Sequence, residues 1–154
     1  DWTGRTGSSA GCRWNSISTR WRALAMEINW ELLHSEAKSI MLRAYSPYSK
    51  FPVGVAALVD DGRIITGCNV ENASYGLGLC AECSLISNLI GSGGGRLIAA
   101  VCVDGAGNFL SPCGRCRQLL FEHGGNNLLF MTPDGPNAMS RLLPWAFGPD
   151  DLPK

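Results

Sequence analysis

Two short segments, Cys80-Ala81-Glu82 and Pro112-Cys113-Gly114-Arg115-Cys116, restrict this chain more than any other feature. For their sulfurs to share one metal ion, a fold must bring together the starts of two segments lying some thirty positions apart. A catalytic zinc takes three protein ligands and leaves a fourth position to water, whose pKa falls to about 7. Cys80, Cys113 and Cys116 supply the three thiolates. Glu82, which is not a ligand, is placed to take the water's proton and hand it to a substrate, the work of a general acid-base group. Cys113 and Cys116 stand three apart, so at the start of a helix both sulfurs lie on one face. If Cys80 and Cys113 each begin a helix, both thiolates also sit at a positive dipole end, which favours deprotonation.

Cys83 allows a different reading, because Cys80-x-x-Cys83 followed by Cys113-x-x-Cys116 also spells a closed structural zinc site. That site would be a binding module without chemistry. Its usual gap is roughly 15 to 20 residues, shorter than the interval from Cys83 to Cys113, and it has no use for a glutamate between two ligands. The two readings separate at Cys83: a structural site loses its metal when Cys83 becomes serine, a catalytic site does not. Seven cysteines are an odd number for a disulfide framework, and no signal peptide is legible, so reduced cytoplasmic thiols are expected.

The length of 154 residues suits one domain with a proper core. No stretch approaches the roughly 20 apolar residues of a membrane span. Four of the 13 basic residues but only one of the 13 acidic residues lie in positions 1–25, so nine basic face twelve acidic residues beyond. A mildly acidic body lacks the basic face that grips a polynucleotide, and no nucleic-acid partner is expected. Residues 1–25, rich in Ser, Gly and Arg with scattered tryptophans, read as an N-terminal extension of no fixed structure. Such composition can mark a transit peptide or an upstream mis-start. The domain is expected over 26–154, with Met26 as an alternative first residue.

Within it, Asn29 reads as a helix N-cap, followed by Trp30, Leu33, Ala37, Ile40, Met41 and Ala44 at helical spacing up to a break at Ser46-Pro47. Val53–Val59 and Arg63–Val70, joined by Asp60-Asp61-Gly62, read as a hairpin. A helix from Cys80 to Ile90, carrying Leu85, Ile86, Leu89 and Ile90, precedes a buried strand at Leu97–Val103. A second helix from Cys113 to His123 precedes a strand at Leu128–Thr132, a Pro133-Asp134-Gly135-Pro136 turn and a short helix from Met139 to Leu143. Strand, helix and strand in alternation imply parallel crossovers in a three-layer αβα sandwich with an antiparallel edge hairpin. Ligands in such folds bind beyond the carboxyl ends of strands, where both cysteine segments fall. Gly91-Ser92-Gly93-Gly94-Gly95 lacks the Lys-Ser/Thr of a phosphate loop and reads as a flexible connector. His34 is expected at an exposed helical position and His123 at a helix C-terminus, neither of them metal-binding. Asn72-Ala73-Ser74 would be a glycosylation acceptor only in a secreted protein.

A ligand, any residue and Glu, followed by PCxxC, is the signature of zinc-dependent deaminases of nucleobases and nucleosides. Over about residues 42–152 the chain resembles the cytidine deaminases of the small homotetrameric type. The resemblance is carried by Ala44-Tyr45-Ser46-Pro47-Tyr48-Ser49-Lys50-Phe51, Asn69-Val70-Glu71-Asn72-Ala73-Ser74-Tyr75, Cys80-Ala81-Glu82, Pro112-Cys113-Gly114-Arg115-Cys116 and Leu142-Leu143-Pro144-Trp145-Ala146-Phe147. It implies a mixed five-stranded sheet, one Zn2+ per chain, and hydrolysis of cytidine and deoxycytidine to uridine and deoxyuridine with release of ammonia, in pyrimidine salvage. It further implies that Asn69 and Glu71 bond the ribose 3′-hydroxyl and that the Ala81 N–H holds the pyrimidine O2. Phe51 would pack on the base, while Tyr75 and Phe147 would reach the pocket of a neighbouring subunit. Glu82 would protonate N3 and later the departing amine.

Two positions depart from the family pattern. Many relatives carry arginine where this chain has Cys83, and alanine where it has Arg115. Arg115 is therefore expected to offset the negative zinc-thiolate cluster from the other helix, and Cys83 to face the packed side of its own helix. Deaminases of cytosine nucleoside antibiotics such as blasticidin S share the CAE and PCGRC segments. Asn69 and Glu71, as ribose readers, favour ordinary cytidine. Editing of a base within a polynucleotide would need basic flanks that this body lacks.

Overall fold

The structure is a computed structural model, and it describes residues 28–153. The extension at residues 1–25 and the domain start at Met26 lie outside the described residues.

Helix α1 spans Trp30–Met41. Asn29 caps it as expected, its Oδ1 accepting the Leu32 N–H at 2.9 Å and so satisfying an amide that the first turn leaves unpaired. The helix ends well before Ser46-Pro47 because a tertiary pairing competes for the chain. The Tyr45 N–H donates to the Asn69 carbonyl at 3.0 Å, and the Tyr45 carbonyl accepts the Glu71 N–H at 2.8 Å. Ala44 thus belongs to a turn, not to the apolar stripe.

Strands β1 (Gly54–Val59) and β2 (Ile64–Cys68) form the expected hairpin. Helix α2 (Ala81–Gly91), strand β3 (Leu97–Val103), helix α3 (Gly114–Gly124) and strand β4 (Leu129–Thr132) follow. Strand β5 (Gly135–Ala138) and the short helix α4 (Met139–Leu142) complete the set. The sheet order is β2-β1-β3-β4-β5, a mixed five-stranded sheet. Only β3 and β4 are parallel neighbours, because β1 lies between β2 and β3 and runs antiparallel to both. The Pro133-Asp134-Gly135-Pro136 segment is a turn only at its first two residues. Gly135 pairs with Thr132 and opens β5, where an edge position tolerates Pro136, which has no N–H to donate.

The layers follow from the alternation of side chains along the strands. Leu33, Ala37 and Met41 of α1 pack on Ala56, Val101, Val103, Leu129 and Met131 on one face. On the other, Leu85, Ile86 and Leu89 of α2 and Leu120 of α3 pack on Val55, Ala57, Ala100, Cys102 and Phe130. In β3 the alternation slips, placing Ile98 and Ala99 both on the α1 side where the register against β1 shifts between Leu58 and Val59; one extra residue in a ladder has this effect. Two glycines set the layer spacing. A methyl on Gly67 of β2 would stand 2.5 Å from the Ala81 carbonyl and 2.9 Å from Leu85 Cα in α2, while one on Gly54 would stand 2.6 Å from Met41 Cβ in α1.

Three expectations need correction. His34 is half-buried, its Nε2 lying 2.8 Å from the Gly107 carbonyl and its ring tilted at 49° against Phe109 with centroids 4.9 Å apart. Ile90 is exposed, since it falls off the inward face set by Leu85, Ile86 and Leu89. The glycine segment after α2 is fastened at its centre: the Arg63 guanidinium donates to the Ser92 carbonyl and hydroxyl at 3.0 Å and to the Gly94 carbonyl at 2.6 Å. No helix among the described residues is long and apolar enough to cross a membrane.

Candidate active site

Cys80 is the N-cap of α2 and Cys113 the N-cap of α3, both in extended backbone. Cys116 lies one turn into α3 and is fully buried. The three sulfurs fall within 4.8 Å of one another, and Cys80 and Cys113 are 4.0 Å apart. Thiolates placed tetrahedrally about zinc at about 2.3 Å stand somewhat under 4 Å apart, so the group needs little movement to close on the ion. The donor set is soft and the two helix starts supply positive dipole ends, so the residues fit Zn2+. Cys83 is not part of the group, which removes the four-cysteine structural reading.

The thiols respond to crowding. Burial raises the Cys80 pKa, and the neighbouring Cys113 and Glu82 charges raise it further. Burial drives Cys116 well above the ordinary thiol value, with Glu82 adding to it by charge and by hydrogen bonding. Burial also opposes ionisation of Cys113, but the Cys116 amide and the Cys116 and Cys80 thiols carry it below the ordinary value. Glu82 itself, in the first turn of α2, is 4% exposed. Its carboxyl is close enough to the thiol group to bear on Cys116, Cys80 and Cys113.

A cleft of about 290 Å³ opens above these residues. Its lining brings Cys80, Ala81, Glu82 and Cys113 together with Asn69 and Glu71. Asn69 is fixed at both ends of its amide: Oδ1 accepts the Val53 N–H at 2.8 Å and Nδ2 donates to the Phe51 carbonyl at 3.0 Å. Glu71 accepts the Tyr48 N–H at 2.9 Å; the Ser49 hydroxyl and the Tyr48 and Ser49 amides hold its carboxyl below the usual carboxylate range. A second hollow of about 360 Å³ shares Glu71 and Gly78 with the cleft and is bordered by Tyr48, Asn72 and Tyr75.

The sequence-predicted residues therefore divide. Cys80, Ala81, Glu82, Cys113, Asn69 and Glu71 converge on one cleft, with Cys116 beneath it. Phe51 is half-exposed and outside the lining, while Tyr75 and Phe147 are 82% and 61% exposed. Val53, Cys102, Leu110 and Ser111 also line the cleft and were missed. Ser111 directly precedes Pro112 and could have been found by extending the motif, whereas nothing marks Cys102 within its apolar strand. Asn72 is occupied locally, its Oδ1 accepting the Ser74 N–H at 2.8 Å.

Cys83 corrects an expectation. It does not face the packed side of α2 but receives the Arg115 guanidinium, with Nη2 2.9 Å from Sγ. Three positions after Cys80, it shares that residue's face of α2 and so looks across to the start of α3. The hydrogen bond to Cys83, and then the charges of Cys83, Cys80 and Cys116, raise the Arg115 pKa.

The family model for the cytidine and deoxycytidylate deaminase zinc-binding region matches residues 28–132. The chain belongs to the cytidine deaminase family. A cytidine deaminase of Mycobacterium tuberculosis is 58% identical over 128 residues, covering 83% of this chain and 96% of that protein. The crystal structure of cytidine deaminase from the same organism superposes with a TM-score of 0.77 at 58% identity, covering 79% of this chain and 98% of that one. That of cytidine deaminase from Mycobacterium leprae gives 0.75 at 62% identity, covering 76% and 98%. The chain is accordingly a deaminating hydrolase whose cofactor is one Zn2+, for which Cys80, Cys113 and Cys116 are the group that could hold it.

Proposed function

We propose that the enzyme carries out zinc-dependent hydrolytic deamination of both cytidine and deoxycytidine, giving uridine and deoxyuridine with ammonia, as a step of pyrimidine salvage in the cytoplasm. The observation that carries this reading is the buried Glu82 carboxyl beside three convergent thiols at a nucleoside-sized cleft. Held by Cys80, Cys113 and Cys116, zinc would supply the Lewis acidity that makes a water acidic near neutral pH. Glu82 takes a proton from the attacking water as the water oxygen bonds to C4 of cytosine, and delivers the proton to N3. Glu82 then takes the proton of the new hydroxyl group and gives it to the amine, so the C4–N bond breaks and ammonia leaves. The Ala81 N–H, at the start of α2, holds the pyrimidine O2. Asn69 and Glu71 take the ribose 3′-hydroxyl, and their bonds to residues 48–53 fix them before substrate arrives.

Charge favours a nucleoside over its monophosphate. Among the described residues, those lining the cleft and the hollow include the carboxylates Glu71 and Glu82 and no lysine, arginine or histidine, so a phosphate would meet two carboxylates there, and the Lys50 charge that reaches Glu71 comes from outside the lining. The exposed aromatic residues Phe51, Tyr75 and Phe147 suit a homotetramer in which Tyr75 and Phe147 complete a neighbouring pocket and Phe51 is pressed onto the base. Arg115 offsets the charge of the thiolate cluster from α3, acting across its contact with Cys83.

The test is the loss of the cytosine absorbance band on mixing the protein with cytidine, deoxycytidine or cytidine monophosphate, beside a zinc assay. Turnover of both nucleosides, abolished in Glu82→Gln with zinc retained, is the expected result. Loss of zinc in Glu82→Gln would assign the glutamate to the metal instead, and turnover of the monophosphate at the nucleoside's rate would overturn the charge argument.

A further inference from the structure

Of the three thiols, Cys113 is the one least held by its surroundings. Cys116 is fully buried inside α3, and Cys80 follows Leu79, whose N–H and carbonyl pair with Val70 at 2.8 and 2.9 Å. Cys113 is exposed and, like Cys80, makes no side-chain capping bond to the helix it begins. Its position depends on the plane of the Pro112–Cys113 peptide, and Pro112 has no N–H with which to anchor itself.

The Arg117 side chain grips that peptide: its Nε donates to the Pro112 carbonyl at 2.9 Å, while the residue's backbone N–H makes the ordinary first-turn helix bond to the Cys113 carbonyl at 2.9 Å. Its Nη1 reaches the Leu142 carbonyl at 3.0 Å, one of the acceptors that the end of α4 leaves unpaired. Among the described residues, Arg117 is the only side chain hydrogen-bonded to the backbone of residues 111–113, and it forms no salt bridge with a carboxylate. A half-buried guanidinium whose Nε and Nη1 each hold one carbonyl ties the ligand loop to α4, which is itself seated on the core through Met139, Leu142 and Leu143.

We propose that Arg117 is a positioning residue of the metal centre, fixing the Pro112–Cys113 peptide against α4 so that the Cys113 sulfur closes the thiolate set with Cys80 and Cys116. The proposal rests on the reading that these three cysteines hold the zinc. The planar fork bonds both carbonyls at once, whereas the ammonium of a lysine is a single point on a flexible stem.

The experiment follows zinc release from the purified holoprotein to a chromogenic chelator for wild type, Arg117→Lys and Arg117→Ala. Absorption spectra of the cobalt-substituted proteins and thermal midpoints of the metal-free and zinc-loaded forms accompany it. Removing a group that orients a ligand typically costs about 10- to 100-fold in metal affinity. Arg117→Ala is expected to release zinc faster by that order and to lose intensity in the cobalt-thiolate band, with Arg117→Lys between it and wild type. Its metal-free midpoint should fall less than its zinc-loaded midpoint. Arg117→Lys carries the test if the alanine variant does not fold. Release at the wild-type rate from the folded variants, or equal loss of stability in metal-free and loaded forms, would overturn the proposal. A wild-type protein without stoichiometric zinc would overturn the reading beneath it as well, and a Cys113→Ser control separates the two cases.

Discussion

Gly67 allows a distant residue to be tested for its control of catalytic geometry. Its strand β2 touches the backbone of α2, and a methyl added there would stand 2.5 Å from the Ala81 carbonyl, 2.9 Å from Leu85 Cα and closer still to Leu85 N. Ordinary contact begins near 3.4 Å, so α2 must withdraw by about 1 Å. Backbone cannot swing aside as the end of a side chain can, and overpacking of this kind costs about 1–3 kcal/mol. The smaller conformational entropy of an unfolded chain with alanine returns only about 0.4–1 kcal/mol, so the clash wins. The midpoint should fall by roughly 2–4 °C for each net kcal/mol in a chain of this size. The larger effect is catalytic, since α2 carries Ala81 and Glu82, and a 1 Å misplacement can cost about 100-fold. Gly54→Ala is the matched control. It drives a methyl to 2.6 Å from Met41 Cβ and 2.7 Å from Met41 N, but on the α1 face, away from the cysteine helices. Both variants should lose stability, measured by thermal unfolding, and only Gly67→Ala should lose about two orders of magnitude in kcat/KM toward cytidine. Comparable kcat/KM for the two at a temperature where both are folded would refute the claim that the α2 to β2 contact sets the position of Glu82.

Other outcomes follow from the same structure. Cys83→Ser should keep its zinc, because Cys83 stands outside the thiolate group; Arg115→Ala should bind zinc more weakly in a competition assay, and normal affinity with normal activity in that variant would remove its compensating role. Acid should weaken the fold through carboxylates whose folded pKa values are depressed, Asp104, Glu71 and Asp61. The Asn108 amide, with the Asn108 side chain and the Ala106 amide, holds Asp104 below its ordinary 3.8, and the Ser49 hydroxyl first among others holds Glu71 below 4.5. Depressed values mean that this stability is present above the ordinary pKa and drains away as the pH falls through the folded one. Denaturant midpoints followed from neutrality to about pH 3 should show this, with a flatter acid limb in Asp104→Asn; an unchanged limb would assign the acid sensitivity elsewhere.

Local spacing by itself determined a good deal. The x-x interval between Cys113 and Cys116, the glutamate two after Cys80 and the apolar periods of α2 and α3 are short-range patterns, and a helix start turns each directly into a geometry. They named the three thiols and Glu82, and resemblance added Asn69, Glu71 and Ala81; the structure gathers all of these around one cleft. The hairpin, the β3 strand and the two cysteine helices were legible for the same reason. Wherever a distant partner outbid local preference, the sequence misled. The Tyr45 pairing with Asn69 and Glu71 ends α1 early, and pairing with β4 draws Gly135 and Pro136 out of a turn into a strand. Arg63, from the turn that leads into β2, fastens a glycine-rich segment that looks flexible on its own. Cys83 reads as an ordinary packed thiol until α3 brings Arg115 to 2.9 Å. Arg117 is one more basic residue in the sequence; only the fold places the Pro112 and Leu142 carbonyls on either side of its guanidinium. A hydrogen bond between residues far apart in the chain leaves no period in either segment, so its existence is decided when the layers pack.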